Sequence, residues 1–220
     1  MAGKPPPDIA VDSPVRRKSF QIPPTLVSYI AMEKTLSTDR LHNFFHDMTR
    51  RSFWQLGIND ATVARYVADV LTDFASASNL YRIRSSAGKK LDSVVEILAE
   101  TRPENADEKR VLQEREVRKY LGDYTLFMSG IFRSYVEKTG VLEYYLQEGQ
   151  RSYWTVSELD LSLYRTGFIL FQELSKKFEY YSGALDYMRK AYFAPEPGED
   201  PFAGWMRQVE GWITTNLTEN

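Results

Sequence analysis

Apolar residues at helical spacing in the middle of the chain constrain the fold more than any other feature. They recur at intervals of four and three residues, at Val117, Leu121, Tyr124, Met128, Ile131 and Tyr135. This spacing places an apolar stripe along one face of an α-helix. Tyr120, Leu126 and Phe127 widen the stripe. We therefore predict a long central helix, from Asn105 to Lys138, that packs against more than one neighbour.

Two glycines, Gly122 and Gly130, lie inside this predicted helix. A glycine within a helix costs about 1 kcal/mol relative to alanine, so the pair suggests close approaches by neighbouring elements. We expect the helix to be buried on at least two sides from Val117 to Tyr135. Charges of both signs are interspersed before Val117, which predicts a solvated face with ion pairs between successive turns.

The remainder of the chain also favours helices. No run of five or more residues alternates with the period of two that is typical of a β-strand. Gly57 is placed to end one helix, and Asn59 or Asp60 to cap the next. Residues 157–178 are apolar nearly all round, which predicts one helix buried on most faces. We predict an all-α fold, a single globular bundle of about seven to nine helices around the central one.

Proline content divides the chain into three parts. Residues 1–24 hold six of the ten prolines and almost no apolar periodicity, which predicts a disordered Pro-rich tail. Residues 25–194 form the predicted helical domain, which begins with a short helix or a strand. Residues 195–220 contain a proline-rich linker followed by an amphipathic helix.

Composition excludes several classes of protein. The chain has no cysteine, which excludes disulfides, thiolate metal sites and cysteine nucleophiles and is compatible with a reducing cytoplasm. Its formal net charge is -2, so no overall field attracts nucleic acid or an anionic membrane. No apolar run approaches the roughly 18 residues of a membrane span. We expect a cytoplasmic protein with neither a nucleic-acid nor a membrane partner.

The two histidines of the chain, His42 and His46, share one face of a predicted helix. Their i,i+4 spacing can chelate a metal, with Asp39 as a nearby carboxylate. Neither a Glu-x-x-His pair nor the glutamate of a zinc-protease helix accompanies them. The favoured interpretation is a structural, half-exposed pair. The alternative is a divalent-metal site at His42, His46 and Asp39, and we predict no other cofactor.

Asp123 lies beside the apolar stripe between tyrosines. We favour hydrogen bonds to it from tyrosine hydroxyls or from an arginine such as Arg133 or Arg151. The alternative is a carboxylate with a shifted pKa that marks a site. Such a site would be a Tyr-lined ligand pocket, made of Asp123, Tyr124, Tyr145, Arg151 and Tyr153. Aromatic residues at helical spacing are more often core, so the pocket is the lesser hypothesis.

The predicted C-terminal helix carries a sharp apolar stripe that must be covered. The stripe is Phe202, Trp205, Met206, Val209, Trp212 and Ile213. Its cover is predicted to be its own domain, or else a second copy or another protein, which would make it an interface. Acidic neighbours argue against an anionic membrane.

From Tyr120 to Phe127, and again at Tyr144, Tyr145, Gly149, Arg151 and Tyr153, the chain resembles bacterial conserved hypothetical proteins. The resemblance covers residues 36–193. It implies a bacterial, soluble, cytoplasmic protein, and it supplies no catalytic residues.

No nucleophile elbow, glycine-rich phosphate loop or Ser/His/Asp set occurs in the sequence, so the catalytic residues of any activity are unknown. We expect a non-enzymatic interaction or scaffold protein, with a homodimer or a protein partner, that uses the C-terminal helix and the Pro-rich tail. The first alternative is a helical protein that binds a metal at His42 and His46 or a small molecule in the Tyr-lined cavity. The second is an enzyme with an unrecognised site in that cavity. The basic stretch 80–90 lacks any nucleic-acid-binding motif.

Overall fold

The structure, a computed structural model, describes residues 38–75, 108–195 and 201–215. The predicted all-α fold is confirmed, since these ranges form a single globular bundle of eight helices without strands. The helices are α1 (Thr38–Gln55), α2 (Ala61–Ala75), α3 (Glu108–Ile131), α4 (Arg133–Lys138), α5 (Leu142–Ser162), α6 (Phe168–Lys176), α7 (Phe178–Tyr192) and α8 (Pro201–Thr215). Among them, none is long and apolar enough to cross a membrane.

Several predictions fall outside the described residues. These are the Pro-rich tail at 1–24, the short element at 25–35, the basic stretch at 80–90, and residues 196–200 of the linker.

The turn between α1 and α2 forms as its residues predict. Gly57 has a φ of +75°, the left-handed conformation that glycine adopts without a Cβ penalty. Asp60 Oδ1 accepts hydrogen bonds from the backbone N–H of Thr62 at 2.9 Å and of Val63 at 3.1 Å. This N-cap satisfies two amides that the first turn of α2 leaves without helical partners.

Helix α3 is the centre of the bundle, as its apolar stripe predicts. Every residue from Tyr120 to Phe132 is buried, with α5 and α7 as the main neighbours and α2 as a third. A Cβ on Gly122 would lie 2.5 Å from the Tyr153 ring, and one on Gly130 would lie 2.5 Å from Leu185 Cβ. The two glycines therefore allow α5 and α7 to approach α3 closely.

The contacts of α3 also set the direction of its two main neighbours. Asp123 bonds to Tyr153, and Thr125 lies beside Gly149, so α5 runs antiparallel to α3. Gly149 also lies beside Phe178 at the start of α7, whereas Gly130 lies beside Leu185 farther along it. Helix α7 therefore runs parallel to α3 and antiparallel to α5.

The prediction of one unbroken central helix to Lys138 is wrong. The helix leaves regular geometry at Phe132, where φ is -108° and ψ is 29°, and α4 continues from Arg133. The buried Phe132 ring packs against Phe127, Phe202 and Trp205. The break in the helix coincides with the tertiary packing of this side chain. The spacing of apolar residues in the sequence does not predict such a break.

The single buried helix predicted for residues 157–178 is also wrong. Helix α5 ends at Ser162 and α6 begins at Phe168. Tyr164, at a φ of 55°, is 97% exposed, and Ile169 is 65% exposed. The apolar stretch therefore contains the end of the long helix α5 and the whole of the short helix α6, and both have partly solvated faces.

Helix α8 packs on its own domain, the first of the alternatives for its stripe. Five of its six stripe residues are buried in the common core: Phe202, Trp205, Met206, Val209 and Ile213. The Trp205 ring lies against Phe45, Phe127 and Phe132, with centroid distances of 5.6 to 5.9 Å. Trp212 stays partly exposed and donates its indole N–H to the Tyr192 carbonyl at 3.1 Å. The stripe as an interface with a partner is therefore corrected: the chain itself covers it.

Candidate functional site

Asp123 is the centre of a polar cluster inside the bundle. Its Oδ1 accepts hydrogen bonds from the hydroxyls of Tyr66 at 2.5 Å and Tyr153 at 2.8 Å, and its Oδ2 accepts one from Lys119 Nζ at 2.7 Å. Lys119 Nζ also lies 5.2 Å from the centroid of the Tyr66 ring, a cation–π contact. The predicted tyrosine donors are confirmed, but the cation is Lys119. Arg133 pairs instead with Glu137, and Arg151 is exposed.

The tyrosines of this cluster are held in their protonated form. Burial, and after it the negative charge of Asp123, raises the pKa of Tyr153 well above its usual value. The same causes raise the pKa of Tyr66. Because the hydroxyls keep their protons, they remain donors to Asp123. Three donors occupy the two oxygens of the carboxylate, which favours a structural over a catalytic role.

Two more ion pairs join α3 to α5, both from arginines that precede Asp123 on α3. Arg115 donates from Nε to Asp160 Oδ1 at 2.5 Å and from a terminal nitrogen to Oδ2 at 3.0 Å. Arg118 donates to Glu148 Oε1 at 3.0 Å. Hydrogen bonding to Asp160, the largest cause, raises the pKa of Arg115 above its usual value. A doubly bonded guanidinium–carboxylate pair is both strong and geometrically specific.

Arg115 corrects part of the prediction that the charged turns before Val117 stand in solvent. Its side chain is 11% exposed and its partner Asp160 is fully buried, whereas Arg110, Gln113 and Glu116 are exposed as predicted. Mixed charges along one helix do not identify a carboxylate on another helix, so the sequence does not predict the burial of Arg115. Lys119 and Asp123, one turn apart in α3, form an i,i+4 ion pair.

The structure places the residues of the predicted Tyr-lined pocket in separate parts of the bundle. Asp123 and Tyr153 belong to the polar cluster, whereas Tyr124 and Tyr145 form a separate buried contact with ring centroids 6.1 Å apart. Arg151 lies on the exposed face of α5. The five residues therefore do not surround one common cavity.

The two histidines of α1 lie side by side, with ring centroids 6.2 Å apart. His42 Nε2 lies 2.7 Å from Asp69 Oδ1 on α2, and both side chains are partly exposed. His46 Nδ1 lies 3.8 Å from Asp47 Oδ1. The described ranges hold no group of three or more His, Asp or Glu residues arranged to bind a metal ion. Asp69 is a neighbour that sequence spacing does not identify, and a metal at His42, His46 and Asp39 stays a prediction.

An open groove lies between α5 and α7 on the described surface. It has a volume of about 700 Å³. One wall is a single face of α5, formed by Glu143, Leu146, Gln147 and Gln150. The other is a single face of α7, formed by Tyr180, Gly183, Ala184 and Tyr187. Both sets have the i, i+3, i+4, i+7 spacing of neighbours along a helix.

The floor of this α5–α7 groove is apolar, and its rim is aromatic. Phe178, Leu146 and Ala184 are buried beneath it, whereas Tyr180 and Tyr187 remain 49% and 40% exposed. Both tyrosine hydroxyls are hydrogen-bonded to the end of α1, to Leu56 O at 3.0 Å and Gln55 Oε1 at 3.2 Å. These bonds hold the rings at the rim. No sequence pattern identifies the groove, because its two walls are far apart in the chain.

No protein family model, curated protein or solved structure matches this chain. The resemblance to bacterial conserved hypothetical proteins stays a prediction.

Proposed function

We propose that the chain is a non-enzymatic interaction protein that forms a homodimer through the α5–α7 groove. The observation that carries this proposal is the groove itself, with an apolar floor and an exposed aromatic rim between two helix faces. Aromatic residues are enriched in protein interfaces, and fixed rings lose little conformational entropy on binding. The polar cluster around Asp123, by contrast, has its acceptors occupied by donors of the same chain.

The charges along the groove favour a second copy of the chain as its occupant. Gln150, Lys176, Lys177 and Glu179 line the end near the start of α7, where Lys177 pairs with Glu173. Glu143, seven residues before Gln150, lies about 10 Å away along α5 at the other end. A two-fold axis across the groove places Lys176 of each copy opposite the partner's Glu143. Neither Lys176 nor Glu143 has an ion-pair partner among the described residues.

The shape of the groove also fits a second copy related by this two-fold axis. Gly183 lies between the two tyrosines on α7, and a Cβ there would meet nothing within 4 Å. The two-fold axis brings an exposed tyrosine of one copy to the open space above Gly183 of the other. A protruding ring and a recess on the same surface are what a symmetric, isologous contact requires.

Sedimentation velocity of the full chain over a range of concentrations tests the proposal. The expected result is a reversible monomer–dimer equilibrium. Gly183→Arg should weaken dimerisation by about tenfold or more, since it fills the recess with a charged side chain in both copies. Gly211→Arg is the matched control, because Gly211 is also a helical glycine with nothing within 4 Å of a Cβ. A wild-type chain that stays monomeric, or equal effects of the two arginines, overturns the proposal.

A charge reversal tests the two-fold arrangement itself. Lys176→Glu and Glu143→Lys should each weaken the dimer, because each places like charges opposite one another. The double variant should restore dimerisation, since it exchanges the two signs. Failure of the double variant to recover any affinity excludes this pairing of the two ends.

A further inference from the structure

A second cavity, separate from the α5–α7 groove, lies where α4, α7 and α8 meet the end of α3. It has a volume of about 500 Å³, within the range of roughly 300–1,000 Å³ that is usual for small-molecule sites. Ile131, Phe132, Phe193 and Trp205 line it with buried apolar surface. We call it the α8 cavity. An apolar body of a ligand packs well against such a lining.

The described residues at the rim of the α8 cavity carry charge of one sign. Lys138 and Arg189 both line it, and no Asp or Glu of the described residues does. Neither side chain forms an ion pair with a described residue. Two cations at the mouth of an apolar cavity favour a ligand with an anionic group.

Trp205 belongs to the lining of the α8 cavity, and its side chain is 3% exposed. Its Nε1 is buried away from solvent, so a ligand in the cavity meets the ring of Trp205 and not its N–H. The ring adds apolar surface to the lining, and its proximity makes it a reporter of binding.

We propose that the α8 cavity binds a small organic carboxylate with an apolar body. The apolar part lies against Phe132, Phe193 and Trp205. The carboxylate takes the charges of Lys138 and Arg189 at the rim. The site is independent of the α5–α7 groove, because the two cavities share no lining residue.

Titration of the full chain with octanoate, octanol and octyltrimethylammonium tests this proposal. Isothermal titration calorimetry gives the affinities, and the indole N–H resonance of Trp205 in a nitrogen–proton correlation spectrum, assigned with Trp205→Phe, reports the site. Octanoate is expected to bind and to shift this resonance. Octanol should bind about tenfold or more weakly and the cation more weakly still, because they lack the anionic acceptor. The full chain is used so that Glu196, Glu199 and Asp200, which lie between Pro195 and Pro201 in sequence, contribute their charge.

Substitutions at the rim complete the test. Lys138→Gln and Arg189→Gln should each lower octanoate affinity by about tenfold, since each removes a cation and keeps a polar side chain. Arg165→Gln is the control, because Arg165 is an exposed cation that does not line the cavity. Three results overturn the proposal: no octanoate binding, octanol binding as tightly as octanoate, or a Trp205 resonance that does not move at saturation. Gly183→Arg leaves octanoate binding unchanged if the two sites are independent.

Discussion

The first half of α3 is only partly buried and the second half fully, and the two pack in different ways. From Arg115 to Asp123 the helix meets α5 and α2 through ion pairs and tyrosine hydroxyls. From Tyr124 to Ile131 it meets α2, α7 and α8 mainly through aromatic and aliphatic side chains. We call these segments the polar half and the apolar half of α3.

This difference in packing indicates that the two halves of α3 contribute to the fold in different ways. Apolar burial stabilises at roughly 25 cal/mol per Å² and tolerates changes of partner. A buried ion pair adds little net stability, because desolvation offsets the attraction, but breaking it is costly. We infer that the apolar half supplies most of the stabilisation that α3 contributes to the fold, whereas the polar half specifies the register between α3 and α5.

The largest effect is expected from truncation in the apolar half. The ring of Phe127 is fully buried, with centroids 5.1 Å from Phe74 and 5.6 Å from Trp205. Phe127→Ala should lower the free energy of unfolding by about 4 kcal/mol, through lost burial and a residual cavity. Urea denaturation followed by circular dichroism measures it. Trp154→Ala, at a 43% exposed aromatic residue, should cost much less, and equal losses would contradict the assignment.

In the polar half, removing one charge of a buried ion pair should lower the free energy of unfolding almost as much. Removing both charges of the pair should lower it far less. Asp160→Ala leaves the guanidinium of Arg115 buried without its main partner and should cost about 3 kcal/mol. The double variant Arg115→Met, Asp160→Leu should regain most of this loss, since it leaves no charge unpaired.

The same denaturation series measures these variants. Glu137→Ala breaks the more exposed Arg133–Glu137 pair and should cost about 0.5 kcal/mol. A double variant no more stable than Asp160→Ala would contradict our account of the polar half.

Substitution of the two glycines of α3, Gly122 in the polar half and Gly130 in the apolar half, should have a smaller effect on stability. Alanine at Gly122 meets the Tyr153 ring, which Asp123 holds in place, and alanine at Gly130 meets Leu185 Cβ. Each substitution should cost about 2 kcal/mol, because α5 or α7 must move away from α3.

Gly211 is the matched control in α8, since a Cβ there meets nothing within 4 Å and it does not line the α5–α7 groove. Gly211→Ala should raise stability by about 0.5–1 kcal/mol, as expected of a helical glycine in open space. Thermal unfolding of the three variants tests this, and equal effects at all three positions would show that the close approaches are not real.

The smallest expected effect is the pH dependence of the free energy of unfolding that Tyr153, a partner of the polar half, produces. Tyr153 has a raised pKa in the folded protein and a pKa of about 10 when unfolded. Its protonated form therefore stabilises the fold fully below about pH 10, and this stability is lost as the pH rises above that value. At pH 11 the loss is about 1.4 kcal/mol for this tyrosine.

Urea denaturation at pH 9 and pH 11 measures how far the free energy of unfolding falls between these two pH values, which we call the slope. Tyr153→Phe should reduce the alkaline loss by that amount. Tyr164→Phe, at a tyrosine that is 97% exposed, should leave it unchanged. A slope that is the same in both variants would exclude Tyr153 as its source.

Sequence reasoning reached the fold class but not the sites. The period of the apolar residues identified α3 as central, Gly57 and Asp60 marked the turn before α2, and Asp123 was correctly placed among tyrosine donors. Tyr66, which completes that cluster, lies 57 residues away in the chain. The α5–α7 groove and the α8 cavity were not predicted, since each is formed by helices that meet only in the folded protein.

The sequence by itself determined where helices form and which of their faces are apolar, because both depend on residues within a few positions of one another. The tertiary structure alone decided that Arg115 faces Asp160 instead of water, and that α8 covers its own core instead of a partner. The physical reason is that a charge or an apolar stripe specifies only the kind of partner it requires. Which partner it meets depends on how the helices pack in three dimensions.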